Sequence, residues 1–402
     1  MVNAPLQTSG DTGAGTAERA NPRVSAVMPC LNEEKTIGLC VEKALRCFAE
    51  LGIAGEVIVA DNGSTDRSVE IATAMGARVV VEERKGYGAA LRRGIRESHG
   101  DIIIMGDADD SYDWSAIEPF VRKVQEGFDL VMGNRFQGGI LPGAMPGLHR
   151  YVGNPVLSTI SRIAFRVPIG DFHCGMRAFS RQAFERMQPQ TSGMEFATEM
   201  IANASYQRLR ICEIPTTLHP DKRDRAPHLR SFRDGWRHLR FILTYTPDYL
   251  YFAPGLAMLG LGLVLLAILA GGPVTVGNVY LGIHFVALGA MLALIGFNVL
   301  NLGVLAKATL ARRYPNMRSR TILWLNRRFT LELGLIAGAL LFAFGVGTDA
   351  WILVKWLATG LGPMANTTHL AFVSTTSAVL GLNIVFGSFL LALILGGDEG
   401  ND

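Results

Sequence analysis

Charge is missing from two long stretches of this chain. No Asp, Glu, Lys or Arg stands between Asp248 and Lys307, and none from Trp356 to Gly397. Such runs are poor water-facing surface and fit membrane helices, which need about 20 apolar residues to cross the hydrocarbon core. A relay of intramembrane charges is also missing, which speaks against an ion pump or transporter. Cysteine is sparse: Cys30, Cys40, Cys47, Cys174 and Cys212 form no Cys-x-x-Cys and no paired framework. That argues against disulfides and structural zinc and for a reducing compartment. The Gly86-Tyr87-Gly88 step has Leu91 where a dinucleotide fingerprint needs its last glycine, and no phosphate-binding GxxxxGK[ST] loop occurs. Basic clusters occur without any DNA- or RNA-binding motif, so nucleic acid is not an expected partner. The first 22 residues are rich in Gly, Ala, Thr and Ser, with neither a basic start nor an apolar core. They read as a disordered tail rather than a secretory signal.

What the chain does have is two contrasting halves. Mean hydropathy is +0.25 and only 18% of the 402 residues are charged, unusual for a soluble enzyme. From Val24 apolar runs alternate with helical patterns. Strands are expected at Val24–Cys30, Val57–Ala60, Val79–Glu82, Ile102–Met105 and Leu130–Met132. Helices are expected at Glu33–Leu51, Asp66–Met75, Gly88–Ser98 and Ala116–Glu126. That alternation indicates an α/β fold with a mostly parallel sheet. Ligands of such sheets bind beyond the carboxyl ends of the strands. Polar clusters stand at those ends: Asn32-Glu33, Asp61-Asn62-Gly63-Ser64 and Asp107-Ala108-Asp109.

Asp, Asn and Gly after a strand often only make a turn or cap a helix. That reading covers part of Asn62–Asp66, with Thr65 or Asp66 as the cap, but it does not account for three polar clusters on one sheet edge. Asp107 and Asp109 straddle Ala108 directly after an apolar run. Carboxylates so close repel unless a cation lies between them. Mg²⁺ or Mn²⁺, held through one or two carboxylates and substrate phosphates, is the expected cofactor.

With these motifs the chain resembles the family 2, GT-A-fold glycosyltransferases, and among them the dolichyl- or polyprenyl-phosphate hexose synthases. Pro29-Cys30-Leu31-Asn32-Glu33 resembles the family's Pro-x-Tyr-Asn-Glu nucleotide motif, with Leu31 in place of Tyr. Asp61-Asn62-Gly63-Ser64-Thr65-Asp66 resembles Asp-Asp-Gly-Ser-x-Asp, with Asn62 for the second Asp. Lys85-Gly86-Tyr87-Gly88-Ala89 resembles Lys-Gly-x-Gly-x-Ala, and Gly133-Asn134-Arg135 resembles Gly-Ser-Arg. Asp107-Ala108-Asp109 matches the metal motif, and Ser111 stands where family members often have Gln. The resemblance runs from about Val24 to Arg240. It implies a nucleotide-diphosphate sugar donor, UDP- or GDP-linked, bound by Pro29, Leu31, Asn32, Glu33, Asp61, Lys85, Asp107, Ala108, Asp109 and Arg135. Asp61 would meet the base or ribose, and Asp107 and Asp109 the metal and diphosphate.

Asp171-Phe172-His173-Cys174-Gly175-Met176-Arg177 is, by the resemblance, an acceptor-side loop. Arg177 suits bidentate phosphate binding. Asp171 is open to a second reading as a local ion-pair partner, His173 as a structural loop histidine rather than a base, and Cys174 as inert packing. Glu195 and Glu199 share one helix face, one facing sugar and the other water. Further on, Arg225 and Arg230 join Arg177 as candidates for the acceptor phosphate, with Arg177 and Arg225 the first choice for a catalytic role. The stretch 232–248 reads as an amphipathic helix, with Phe232, Trp236, Leu239 and Phe241 among arginines, suited to an anionic membrane surface. A solvated basic helix is the alternative.

Four spans are expected, at Tyr249–Ala270, Tyr280–Leu305, Leu331–Val354 and Thr368–Leu395. Seven Lys/Arg precede the first (Lys222 to Arg240) and seven lie between the second and third (Lys307 to Arg328), against none in Gly271–Asn278. By the positive-inside rule the catalytic domain is cytoplasmic, at a multi-pass cell (inner) membrane. The expected organisation is a tail (1–22), a GT-A domain (23–231), an interfacial region (232–248), an all-α membrane domain of about four transmembrane helices (249–397) and a short tail (398–402). The expected activity is inverting transfer of a hexose from the nucleotide sugar to a membrane polyprenyl phosphate. The alternatives are a processive polysaccharide synthase, whose Gln-x-x-Arg-Trp is missing, or a non-catalytic glycolipid-assembly module. The oligomeric state is open.

Overall fold

The structure, a computed structural model, describes residues 23–222, 231–313, 320–362, 364 and 367–395. Strands and helices alternate through β1 (Val24–Cys30), α1 (Ile37–Glu50), β2 (Gly55–Asp61), α2 (Ser68–Ala74), β3 (Arg78–Val81), α3 (Tyr87–Glu97), β4 (Ile102–Met105), α4 (Glu118–Gln125) and β5 (Leu130–Asn134). The chain continues through α5 (Arg135–Gly138), α6 (Asn154–Phe165), β6 (Arg177–Ser180), α7 (Arg181–Met187), α8 (Phe196–Tyr206) and β7 (Ile211–Pro215). The seven strands form one sheet in the order β3-β2-β1-β4-β6-β5-β7. β1 runs parallel to β2 and β4, and β2 to β3. β6 is inserted antiparallel between β4 and β5.

The apolar runs become strands because both sheet faces are covered. Val24, Ala26, Val27 and Met28 of β1 and Ile102 to Met105 of β4 are all buried. Strands buried on both faces carry continuous rather than alternating hydrophobicity. α1 lays Ile37, Cys40, Val41, Ala44, Cys47 and Phe48 on the sheet, the spacing of one helical face. The five cysteines are free thiols. Burial pushes Cys30 up to about 11 and Cys40 up to about 12, so both stay protonated and inert.

The chain divides into two compact units. One holds the chain up to Met145, Cys174–Glu185 and the stretch from Cys212. The other holds Pro146–His173, Arg186–Ile211 and all that follows β7's own segment, including α9 (Ser231–Tyr245), α10 (Ala253–Leu269), the hairpin of β8 (Val274–Val276) and β9 (Val279–Leu281), α11 (Ile283–Arg313), α12 (Arg320–Arg328), α13 (Leu331–Ala358) and α14 (Thr368–Leu395). Four helical stretches are long and apolar enough to cross a membrane: Asp248–Leu269, Ile283–Arg312, Leu331–Ala358 and Thr368–Leu395. At 1.5 Å per residue even the shortest, of 22 residues, exceeds the ~30 Å hydrocarbon thickness. The expected spans are all present, and the second and third run beyond the expected ends, to Arg312 and Ala358.

Glycines let these helices touch backbone to backbone. A methyl group on Gly262 of α10 would stand 2.4 Å from the Ala293 nitrogen, and one on Gly296 of α11 2.3 Å from that of Leu259. α13 and α14 meet in the same way around Gly338, Gly345 and Gly381. Close backbone approach is how apolar helices associate where no hydrophobic force separates them from lipid. α9 differs in part from the amphipathic expectation. Phe241 is buried and stacks on Tyr245 at 4.2 Å, while Trp236 is exposed.

Candidate active site

The ends of β1 and β2 are level, because Cys30 pairs with Asp61. Their following loops therefore emerge side by side, and side chains knit them together. The Asn32 N–H donates to Ser64 Oγ at 2.9 Å, the Glu33 N–H to Ser68 Oγ at 2.7 Å, and the Thr65 N–H to Asn32 Oδ1 at 2.7 Å. Asn32 sits at φ 58, which asparagine tolerates better than most residues. These bonds hold 33–36 out of helix, so α1 begins at Ile37 rather than at Glu33. Pro29 and Leu31 are half-buried beside them and Glu33 is buried.

Asp61 is buried and turned onto its own loop, accepting from the Gly63 N–H at 3.0 Å and the Ser64 N–H at 3.1 Å. Asn62 joins this loop to the next. Its amide donates to the carbonyls of Glu82 and Arg84, both at 2.9 Å, and its Oδ1 accepts from the Gly86 N–H at 2.7 Å. Two donors and one acceptor are what an amide offers and a carboxylate does not. Lys85 Nζ then donates to the Asn62 carbonyl at 2.7 Å.

The same loop aims Tyr87 at Asp107, with the hydroxyl donating to Oδ1 at 3.0 Å. Burial first, and the Asp107 charge second, push the Tyr87 hydroxyl well above its ordinary value. It remains a donor throughout the working range. On the other side, Gly175 lies so close that an added methyl group would stand 2.7 Å from Asp107 Oδ2. The Gly175 N–H donates to Tyr112 at 2.9 Å, and Trp114 Nε1 to the Asp107 carbonyl at 3.0 Å. Ala108 is buried. Asp109 is buried too, and its Oδ1 accepts from both the N–H (3.0 Å) and hydroxyl (2.6 Å) of Ser111. Ser111 thus steadies a carboxylate in the place where Gln often stands.

The resemblance did not single out Asp110. It is buried at φ 60 and takes Lys43 Nζ and Lys222 Nζ, each at 2.6 Å. The Lys222 and His219 N–H groups meet the Asp109 and Ser111 carbonyls. The segment before residue 223 is therefore pinned along the acidic loop. The third acid in Asp107-Ala108-Asp109-Asp110 was the available signal.

Arg177 is fully buried and opens β6, paired with Met105 and Met132, instead of standing in a loop. Its Nε donates to the Cys174 carbonyl at 3.0 Å. Arg135 is buried next to Tyr112, where its charge counters burial's upward push on that hydroxyl. Arg225 and Arg230 lie outside the described residues. In the second unit, His173 stacks edge-on to His238 at 4.7 Å, and its N–H donates to Asp171 at 3.2 Å. Of the two acids expected on one helix face, Glu199 faces no water. It is fully buried and accepts from the Gln190 and Thr191 N–H groups at 2.9 and 2.7 Å.

Among the described residues no three His, Cys, Asp or Glu side chains converge into a metal cage. Asp107 and Asp109 offer oxygen donors only, each steadied by a hydroxyl. That set suits a hard divalent ion completing its shell with ligand phosphate and water.

Comparison with known proteins agrees with this geometry. The family described as Glycosyl transferase family 2 matches residues 25–188, and the Glycosyltransferase family 2 C-terminal transmembrane region matches residues 304–395. The low-salt glycan biosynthesis hexosyltransferase Agl6 of Haloferax volcanii is 40% identical over 371 residues, 92% of this chain and 88% of its own. A dolichyl-phosphate hexose transferase of the same organism is 28% identical over 192 residues, covering 48% of this chain and 81% of its own. Among solved structures, glucosyl-3-phosphoglycerate synthase from Mycobacterium tuberculosis, in complex with Mn²⁺, uridine diphosphate and phosphoglyceric acid, is 25% identical with a TM-score of 0.42, over 56% of this chain and 78% of its own. A likeness that low carries no argument about ligands.

Proposed function

The chain belongs to the family 2 glycosyltransferases, as a hexosyltransferase with a C-terminal transmembrane region, and from that premise we propose that it moves a hexose from a UDP- or GDP-linked sugar to a membrane polyprenyl phosphate. The observation that carries the reading is the joining, in one chain, of the Asp107–Asp109 loop at a parallel sheet's strand ends with four apolar helices. A soluble acceptor gives those helices no evident use, whereas a lipid-linked phosphate requires a membrane. The relative described as a dolichyl-phosphate hexose transferase supports the same acceptor class.

Asp107 and Asp109 would hold Mg²⁺ or Mn²⁺, which when bound neutralises the diphosphate leaving group. Tyr87 and Ser111 orient the two carboxylates by donating to them. Leu31, Asn32, Glu33 and Asp61 form the nucleotide side, with Lys85 as the cation beside it. An acceptor phosphate oxygen forms a bond to the anomeric carbon as the carbon–oxygen bond to the diphosphate breaks. The nucleoside diphosphate leaves with the electron pair, and the centre inverts. A phosphate monoester has a second pKa near ~6, so the acceptor is already an anion at neutral pH and needs no strong base. Fully buried, Arg177 positions the Cys174–Gly175 turn against Asp107, and the phosphate-holding role falls to Arg225 and Arg230.

The test is a panel of nucleotide sugars offered to the purified protein in vesicles containing undecaprenyl phosphate, with products resolved by mass. A single hexosyl-phosphoryl-polyprenol is expected. Products with several sugars on one lipid would favour a processive synthase, and no product with any donor would favour an assembly module.

A further inference from the structure

One recess in the membrane region has no part in the transfer reaction. It lies on α13, is about 460 Å³ in volume, and is lined by Ala343, Phe344, Gly347, Thr348 and Trp351. α13 turns Gly338, Gly345 and Asp349 toward α14, where the Ser374 hydroxyl donates to the Asp349 carboxylate. Phe344, Thr348 and Trp351, four and three apart, fall on the far side of the helix, with Ala343 and Gly347 next to them. Phe344 is 57% exposed and Trp351 53%. A methyl group added at Gly347 would meet nothing within 4 Å, so this glycine leaves an open dip between the two aromatic residues. The Thr348 hydroxyl is taken up by its own helix, donating to the Phe344 carbonyl at 2.8 Å. The floor of the dip is therefore apolar and suits a hydrocarbon chain.

Two further observations say what fills it. First, Lys355 stands one turn beyond Trp351 on the same face, with Nζ 5.0 Å from the Trp351 ring centroid. It is the only Lys or Arg after Arg328, and Gly271–Asn278 has none, so it is the only such cation at this end of the spans, opposite the basic Lys307–Arg328 loop. No Asp or Glu stands between Asp349 and Asp398, and Asp349 is turned away to Ser374. A lysine beside an interfacial tryptophan attracts lipid phosphate. Second, the spacing matches one lipid. At 1.5 Å per residue, Gly347 and Ala343 lie roughly 12 and 18 Å from Lys355 along the axis. One leaflet is about half of the ~30 Å hydrocarbon thickness, so a lipid with its phosphate at Lys355 carries its chain into the recess. A second copy of the chain fits less well, because an isologous pair meeting on this face would set Lys355 against its own image.

We propose that Ala343–Lys355 is a binding site for an anionic phospholipid of the leaflet away from the Lys307–Arg328 loop, with the phosphate at Lys355 and one acyl chain laid over Gly347 between Phe344 and Trp351. The site does not depend on which sugar or acceptor the protein uses.

The test uses the full chain in vesicles of equal phosphatidylglycerol and phosphatidylcholine, with one lipid or the other brominated midway along its chains. Bromine quenches tryptophan fluorescence at close range. Trp236, Trp324 and Trp356 are replaced by Phe, and the remaining signal of Trp114 is measured in the same background with Trp351→Phe and subtracted. Brominated phosphatidylglycerol should quench Trp351 several-fold more strongly than brominated phosphatidylcholine. That excess should vanish in Lys355→Gln, return in Lys355→Arg and shrink in Gly347→Leu, whose side chain fills the dip. Equal quenching by the two lipids, or an excess that survives Lys355→Gln, would overturn the proposal. A Trp351 that neither lipid quenches would overturn it too, by showing a second copy or another protein over the recess.

Discussion

Replacing Asn62 by Asp restores the acidic pair of the family pattern, yet it should harm this protein. The Asn62 amide nitrogen donates to two carbonyls at 2.9 Å, and both bonds are lost with a carboxylate. Each such bond contributes roughly 0.5–1.5 kcal/mol net. The new charge also faces the Glu82 and Arg84 carbonyl oxygens from a buried position, a contact that costs about 1 kcal/mol or more. The total is about 2–4 kcal/mol. A domain of this size loses about 2–4 °C of melting temperature per kcal/mol. Protease resistance of the catalytic unit should therefore be lost at a temperature roughly 5–15 °C lower. Surroundings that oppose the charge raise the pKa of the introduced group above its unfolded value, so the deficit is full at neutral pH and shrinks as pH falls through the raised value. A variant that melts with wild type, or whose deficit is flat with pH, would refute the bridging role of Asn62.

Glu56 gives an independent pH test: burial opposes its charge, but bonds from the His99 N–H, the Ser25 hydroxyl and Arg78 outweigh burial and lower it from 4.5 to about 2. Its contribution, at most roughly 3 kcal/mol, is present above pH 4.5 and lost as pH falls toward about 2, so Glu56→Gln should abolish that part of the acid sensitivity in urea titrations. Gly296→Leu should separate α10 from α11, since even a methyl group would stand 2.3 Å from the Leu259 nitrogen; overpacking of this kind costs roughly 1–3 kcal/mol or more, read as lower thermal stability in detergent. For topology, an impermeant thiol reagent added to intact cells should label Val276→Cys in the hairpin and spare Trp324→Cys in α12; the reverse pattern would invert the orientation.

The sheet was legible because its parallel strands are buried on both faces. Four apolar runs mark β1 to β4 to within two residues at either end, since no polar face interrupts them. β6 was not legible. Arg177-Ala178-Phe179-Ser180 carries only two apolar residues, and its strand form comes from pairing with β4 and β5. The strand-end acids were visible as a cluster. Their supports were not: Tyr87 read as part of a glycine step, and Asp110 as one more acid. Neither pattern reveals that Tyr87 reaches Asp107 or that two lysines converge on Asp110. The four spans were plain from missing charge alone, whereas the recess at Gly347 was not, because an apolar span does not reveal which of its faces packs on a neighbour.

The central claim is metal-assisted transfer through Asp107 and Asp109 to a lipid phosphate. It is tested most directly by following label from the accepted nucleotide sugar into undecaprenyl phosphate, using wild type and Asp109→Asn with Mg²⁺ or with EDTA. Transfer should require Mg²⁺ or Mn²⁺, should fall at least a hundredfold in the variant while its melting temperature is unchanged, and should not occur with undecaprenol. Full turnover in EDTA, or equal transfer to the unphosphorylated alcohol, would contradict the account.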